Sequence, residues 1–301
     1  MSHSARPILL GRRQVLLLGM TTAAGATASA LLGAPTPALG AASSRAIAQA
    51  GLPSPVASWR FTESAAPYQS TISGAPALRQ GRISTATRIS TPFGGGVRFN
   101  GTNDYLVVPA SSIGPLNAGA TTNAVTVAAW VYSTDTNNAM IAGCWQESLS
   151  DPRRSYALFN DLPMYGGDDM VCMEVSKSGG ATPGYPYSID YAAEPRKITR
   201  GRWQLHVGTY DGAQAVAYLD GVATAYPSYT DKQGATYSRN PYLYPDGLNA
   251  TATDFMVGAV KRDGSLINLH RGSIARLRVW NTALTAAQVR ALYDAEKWAV
   301  T

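Results

Sequence analysis

The chain has 301 residues, two cysteines and a formal net charge of +6. Its first 41 residues hold three arginines and no acid, which leaves 22 basic against 19 acidic residues in the rest, a net of only +3. That balance, with no basic run, excludes a nucleic-acid footprint, and two cysteines exclude a thiolate zinc cluster.

The N-terminus reads as a targeting segment. Arg12 and Arg13 precede an apolar run from Val15 to Leu32, which ends in small residues and the string Pro-Ala-Leu-Gly-Ala. A basic region, an apolar stretch and a small-residue cleavage site make an export signal over residues 1–41. G-R-R-Q-V-L-L is similar to the twin-arginine signal, which exports folded proteins; an ordinary signal or an uncleaved anchor is the alternative. No later stretch is long and apolar enough to span a membrane. The expected product is a secreted monomer. Residues 42–52, rich in Ala and Ser, form a linker to a domain over residues 53–301, a length ordinary for one β-sandwich or barrel.

Pro53 to Phe61 reads as an opening strand. Residues 62–95 are rich in Ser, Thr, Gly and Ala and read as loops and short edge pieces. From Gly94 to Pro109, Val97 and Phe99 alternate, Asn100-Gly101 turns, and Tyr105 to Val108 returns. Val125 to Tyr132 is the strongest strand, β-branched and aromatic around Trp130. Met140–Trp145, Ser155–Asn160 and Asp169–Ser176 follow, punctuated by Asp151-Pro152 and Gly166-Gly167. In Trp203–Val222, Trp203, Leu205, Val207 and Thr209 alternate with Gln204, His206, Gly208 and Tyr210, and Asp211-Gly212 closes a hairpin. Asp254–Val260 is a further strand. In Gly272–Trp280, Ile274, Leu277 and Val279 are apolar while Arg276 and Arg278 share a face. One helix follows, with Thr285 as its cap and Gln288 completing a capping box. The fold class is all-β: a two-sheet antiparallel jelly-roll sandwich with one short C-terminal helix.

Six segments in order carry a resemblance: W-R-F, F-N-G-T-N-D-Y-L-V-V-P, V-T-V-A-A-W-V-Y, W-Q-L-H-V-G-T-Y-D-G…Y-L-D-G-V, F-M-V-G-A and G-S-I-A-R-L-R-V-W. Over residues 53–296 the chain resembles the laminin-G-like jelly roll of the concanavalin A-like lectin/glucanase group. The resemblance implies a curved sandwich that binds glycans or protein partners. It also implies a rim calcium site, whose acidic pair maps onto Asn103 and Asp104, residue types suited to a hard cation. Ala275 stands where the family often has an acid, which counts against that site, and the glucanase signature E-x-D-x-x-E is absent.

The chain departs from a minimal module in its loops. Half of its 16 tyrosines fall in two insertions, residues 184–191 and 226–244. Tyrosine rings stack on sugars, while phenols and neighbouring Asn, Asp and Arg bond hydroxyls; packing the loops down is the plainer role. The expected contacts are Tyr185, Tyr187 and Tyr191 in the first loop and Tyr229, Arg239 and Tyr242 in the second. A second cluster, Trp145 to Tyr156, adds Trp145 and Arg153. If Glu147 and Glu174 share a face, they are an acid–base pair for a hydrolase. If His206 or a loop tyrosine reaches that groove beside Arg153, it is the base of a lyase; otherwise His206 is a packed structural residue. The sequence therefore predicts a carbohydrate-binding protein, with a glycoside hydrolase or polysaccharide lyase as the alternative and a protein-binding adhesion module as a third. Cys144 and Cys172 form either one disulfide or two buried thiols. With two histidines outside the signal, no histidine-built metal site is expected.

Overall fold

The computed structural model describes residues 51–135 and 137–300; the expected export signal and most of the expected linker lie outside the described residues. Two sheets stack face to face. The first runs, in spatial order, Tyr242–Leu243, Gln214–Leu219, Trp203–Tyr210, Val125–Ser133, Arg271–Trp280, Gly94–Asn100 and Thr87–Thr91, with Ala57–Trp59 also paired to Arg271–Trp280. The second runs Tyr191–Ala193, Gly167–Val175, Arg153–Leu162, Ala139–Glu147, Phe255–Val257, Leu106–Val108 and Arg79–Gln80. This is the jelly-roll sandwich that the strand count and turn spacing imply. Pairing is antiparallel apart from Val260–Arg262, which lies parallel to the end of Ala139–Glu147, with Arg262 opposite Glu147.

Between the sheets sit Trp59, Phe99, Val127, Ile141, Leu158, Met173, Phe255 and Leu277, all buried. The outer faces are apolar too, so the sandwich carries a layer on each side. On the first sheet, Trp130, Leu205 and Trp280 lie under the Ala286–Glu296 helix, which inserts Val289 and Leu292. Each such aliphatic side chain stabilises the docked helix by roughly 1.5–3 kcal/mol. The helix begins with the expected capping box: Thr285 Oγ1 accepts from the Gln288 amide, and the Gln288 side chain accepts from the Thr285 amide. At its far end Glu296 is buried, accepts from the Trp130 indole at 2.8 Å and pairs with Arg278. Burial opposes ionisation of Glu296; Arg278, Arg276 and the indole outweigh it and hold its carboxyl below the usual range. Arg276 and Arg278 do share the face beneath the helix, although a bulge between Ala275 and Arg278 separates them.

The strand expected over Asp254–Val260 is two short ones, Phe255–Val257 and Val260–Arg262. They break at Gly258, where φ is +85° and a Cβ would stand 2.6 Å from the Phe99 ring. Of the two cysteine readings, buried thiols is the correct one. Cys144 points between the sheets and Cys172 to the outer face of the second sheet, with the Arg153–Leu162 strand between them. Cβ vectors that point apart cannot be bridged. Burial pushes the Cys144 thiol up to about 12, and Cys172 is raised for the same reason.

Candidate functional site

The second sheet's outer face holds the site. Side chains alternate across a sheet, and the register aligns Gly143, Ala157, Glu174 and Tyr191 in one row on that face. Gly143 and Ala157 carry nothing beyond Cβ, so the row is low in the middle and Glu174 sits at the floor. The next row brings Met140, Phe159, Cys172 and Ala193. Three elements wall the depression: the Pro163–Tyr165 turn, the loop around Tyr187, and the Val260–Arg262/Ser265–Ile267 hairpin. The result is a groove of about 310 Å³ lined by Phe159, Tyr165, Tyr187, Tyr191, Glu147, Glu174 and Arg262 among others.

Glu147 and Glu174 therefore share one groove, as the acid–base reading requires. Glu174 is only 5% exposed. Burial raises its carboxyl, Glu147 raises it further, and Arg154 opposes both; the outcome is about 8. Glu174 thus carries a proton at neutral pH and can donate a hydrogen bond or a proton. Glu147 is paired with Arg154, Oε1 to Nη2 at 3.6 Å, and the Arg154 guanidinium lies 5.9 Å from the centre of the Trp145 ring.

Arg154, not Arg153, is the arginine beside this pair. A register shift between Cys144 and Trp145 sets Arg154 opposite Trp145, and one residue of the partner strand is skipped. Such a bulge re-aims the side chains beyond it. Arg153 bonds to Asp151, at 2.6 Å, and to the Ala252 carbonyl instead. Trp145 is 1% exposed and packs edge-on against Phe159, so it supports the floor rather than lining it.

Most of the tyrosines hold their own loops. Arg239 is fully buried and donates to the carbonyls of Ile189 (2.7 Å) and Tyr191 (2.9 Å) and to the Tyr237 hydroxyl (2.9 Å). Its guanidinium carbon lies 3.9 Å from the Tyr191 ring centre, 4.6 Å from Tyr237, 5.4 Å from Tyr229 and 5.5 Å from Tyr242. Tyr185 donates to Asp231 at 2.7 Å and Tyr242 to Asp190 at 2.9 Å. The expectation that Arg239 contacts a ligand is corrected, because it is fully buried; with Tyr185, Tyr229 and Tyr242, which are half-buried, it clamps the two insertions to each other. Tyr191 belongs to both structures, with its ring in the groove wall and against Arg239. Tyr187, 51% exposed, is the tyrosine left on the rim.

His206 lies elsewhere. It is buried between the sheets with Nδ1 2.9 Å from Asn160 Oδ1, and burial lowers it to about 3, with His270 adding to the effect. The groove role given to His206, as the base of a lyase, is overturned. The calcium reading also meets a poor fit. Asp104 Oδ1 accepts from the Thr85 amide (2.6 Å) and hydroxyl (3.0 Å), and Oδ2 from the Asn100 amide (2.9 Å). Asn103 donates its amide to the Ile83 carbonyl at 3.0 Å. N–H and O–H groups fill the positions a hard cation would need, so Asp104 and Asn103 tie a turn together. No group of three or more metal-ligating His, Cys, Asp or Glu gathers among the described residues. Sequence reasoning also missed Phe159, Tyr165 and Arg262; only the fold brings them together.

A laminin-G-type family profile, described as the concanavalin A-like lectin/glucanases superfamily, matches residues 100–290. No curated protein matches the sequence. Among solved structures the chain is similar to domain 4 of AbnA, a GH43 extracellular arabinanase of Geobacillus stearothermophilus solved with arabinotriose. The identity is 17% and the TM-score 0.53, over 79% of this chain and 97% of that one. It is also similar to the botulinum neurotoxin serotype D binding domain, at 10% identity and a TM-score of 0.53, over 83% of this chain and 52% of that one. At these identities the likeness shows the fold alone.

Proposed function

Because this chain belongs to the concanavalin A-like lectin/glucanase superfamily, we propose that it is an exported protein that binds an extracellular polysaccharide or glycan in the groove over Glu174. The observation that carries this reading is the groove itself. Two carboxyl groups, one protonated at neutral pH, stand at the foot of an aromatic wall that ends in the exposed Tyr187. Sugars present alternating hydroxyls and apolar ring faces, which such a mixed lining suits. The arabinanase domain was solved with an arabinan fragment, which fits this class of ligand without naming it for this chain. Residues 1–41 act in this reading as a twin-arginine export signal.

A second reading is favoured by the carboxyl pair alone. A protonated Glu174 beside Glu147 has the parts of a glycoside hydrolase, a general acid and a second carboxylate. A glycan array read together with a reducing-sugar assay separates the two. Binding without product supports the lectin, and binding with product that is abolished in E174Q supports the hydrolase. If no glycan binds, or if binding survives in Y187A and E174Q alike, the groove assignment fails.

A further inference from the structure

The first sheet's outer face is apolar only where the C-terminal helix covers it. Beyond the row that pairs Trp130 with Ala275, the face is open and its character changes. The next row reads Thr87, Arg98, Ser273 and Tyr132 across four strands, and the one after it pairs Arg271 with Asn100. These side chains line one depression of about 500 Å³.

Arg98 and Arg271 are both exposed and stand diagonally across one strand pairing, a neighbour distance of about 7–8 Å. Neither side chain has an ion-pair or hydrogen-bond partner among the described residues. The acid lining the depression is Asp104, and its oxygens are already taken by Thr85 and Asn100. Two guanidinium charges thus converge on a concavity fringed with hydroxyls and the face of Tyr132 against the single carboxylate of Asp104, which leaves the corner net positive. Guanidinium groups match planar oxyanions with paired donors.

We propose that this corner of the first sheet binds an acidic polysaccharide, with Arg98 and Arg271 clasping its carboxylate or sulfate groups and Thr87, Ser273 and Tyr132 meeting the adjoining hydroxyls and ring. The site lies on the opposite side of the sandwich from the Glu174 groove, shares no residue with it, and stands or falls separately.

The purified protein is titrated calorimetrically with polygalacturonate, dextran sulfate, neutral dextran and duplex DNA. At least one acidic polysaccharide binds, binding weakens as salt is raised, and neutral dextran does not bind. R98A/R271A weakens that binding about tenfold or more. R79A/K232A removes the same charge from exposed positions elsewhere and binds as wild type. Uronate and sulfate polymers identify which oxyanion is preferred. The proposal is overturned by no binding to either polyanion, by equal binding to neutral dextran or tighter binding to DNA, or by equal losses in the two double variants. The neutral-glycan array still reads the groove independently.

Discussion

Replacing Glu174 by glutamine removes the ionisable group at the groove floor and keeps its shape. In the native protein this carboxyl titrates near 8, against an ordinary value of 4.5. Between those values the unfolded chain has released a proton that the native chain retains. The stability contributed by Glu174 therefore falls as pH rises, by up to about 1.4 kcal/mol per pH unit, from its full value below pH 4.5 to its lowest above pH 8. Across the whole window the loss is on the order of 5 kcal/mol. Glutamine carries no such proton, so E174Q is expected to match wild type near pH 4.5 and to exceed it by several kcal/mol at pH 8. Urea denaturation at half-unit steps from pH 4.5 to 8.5 measures both curves. If their difference stays flat across that range, Glu174 is ionised in the folded protein and the proton-donor reading is refuted.

Three other outcomes test the rest of the geometry. R239A leaves the Ile189 and Tyr191 carbonyls unpaired and uncouples the two insertions, a loss of about 3–5 kcal/mol in denaturant unfolding; R239K recovers little, since lysine lacks the planar fork. A loss under about 1 kcal/mol would show that the loops hold without the clamp. Both cysteines should stay silent to a thiol reagent in the native protein and react together once it is unfolded without reductant; an absence of free thiol then would mean a bridge. EDTA should leave the melting temperature unchanged, because Asp104 is saturated by protein donors, and a drop of several degrees would restore a structural cation.

Strands were legible wherever local composition acts alone. Val125–Ser133 is rich in β-branched and aromatic residues, and Asp211-Gly212 sets the hairpin that pairs Trp203–Tyr210 with Gln214–Leu219. The capping box at Thr285 is a local signal and is found as written. Facing was harder to read, because both outer faces of this sandwich carry apolar patches, the first sheet's under the helix. In Trp203–Tyr210 the alternation separates Leu205 and Val207 from His206, yet the apolar pair lies outside under the helix and His206 lies inside. Alternation gives parity and not direction. The bulge next to Trp145 defeats even parity, and it decides that Arg154 rather than Arg153 reaches the carboxyl pair. Glu147 and Glu174 were found by residue type, but their common groove depends on strand order, which no local window contains.

The strand Arg271–Trp280 has consequences for how the molecule is made. It lies in the middle of the first sheet, zipped to Gly94–Asn100, to Val125–Ser133 and to the domain's opening strand, where Ala57 faces Val279. During synthesis the earlier strands leave the ribosome with a vacant slot between them, and the piece that fills it is the last strand of the sandwich to emerge. Closure is thus deferred until the sandwich's last strand has been made, and pairings so distant along the chain form slowly. A chain cut before Arg271 would lose the keystone along with the helix that seals it, so the sandwich does not close without these last elements. Its opening and closing strands are neighbours in space, which makes a permuted chain, joined there and cut in an exposed loop, a natural way to ask whether that late arrival limits the rate of folding.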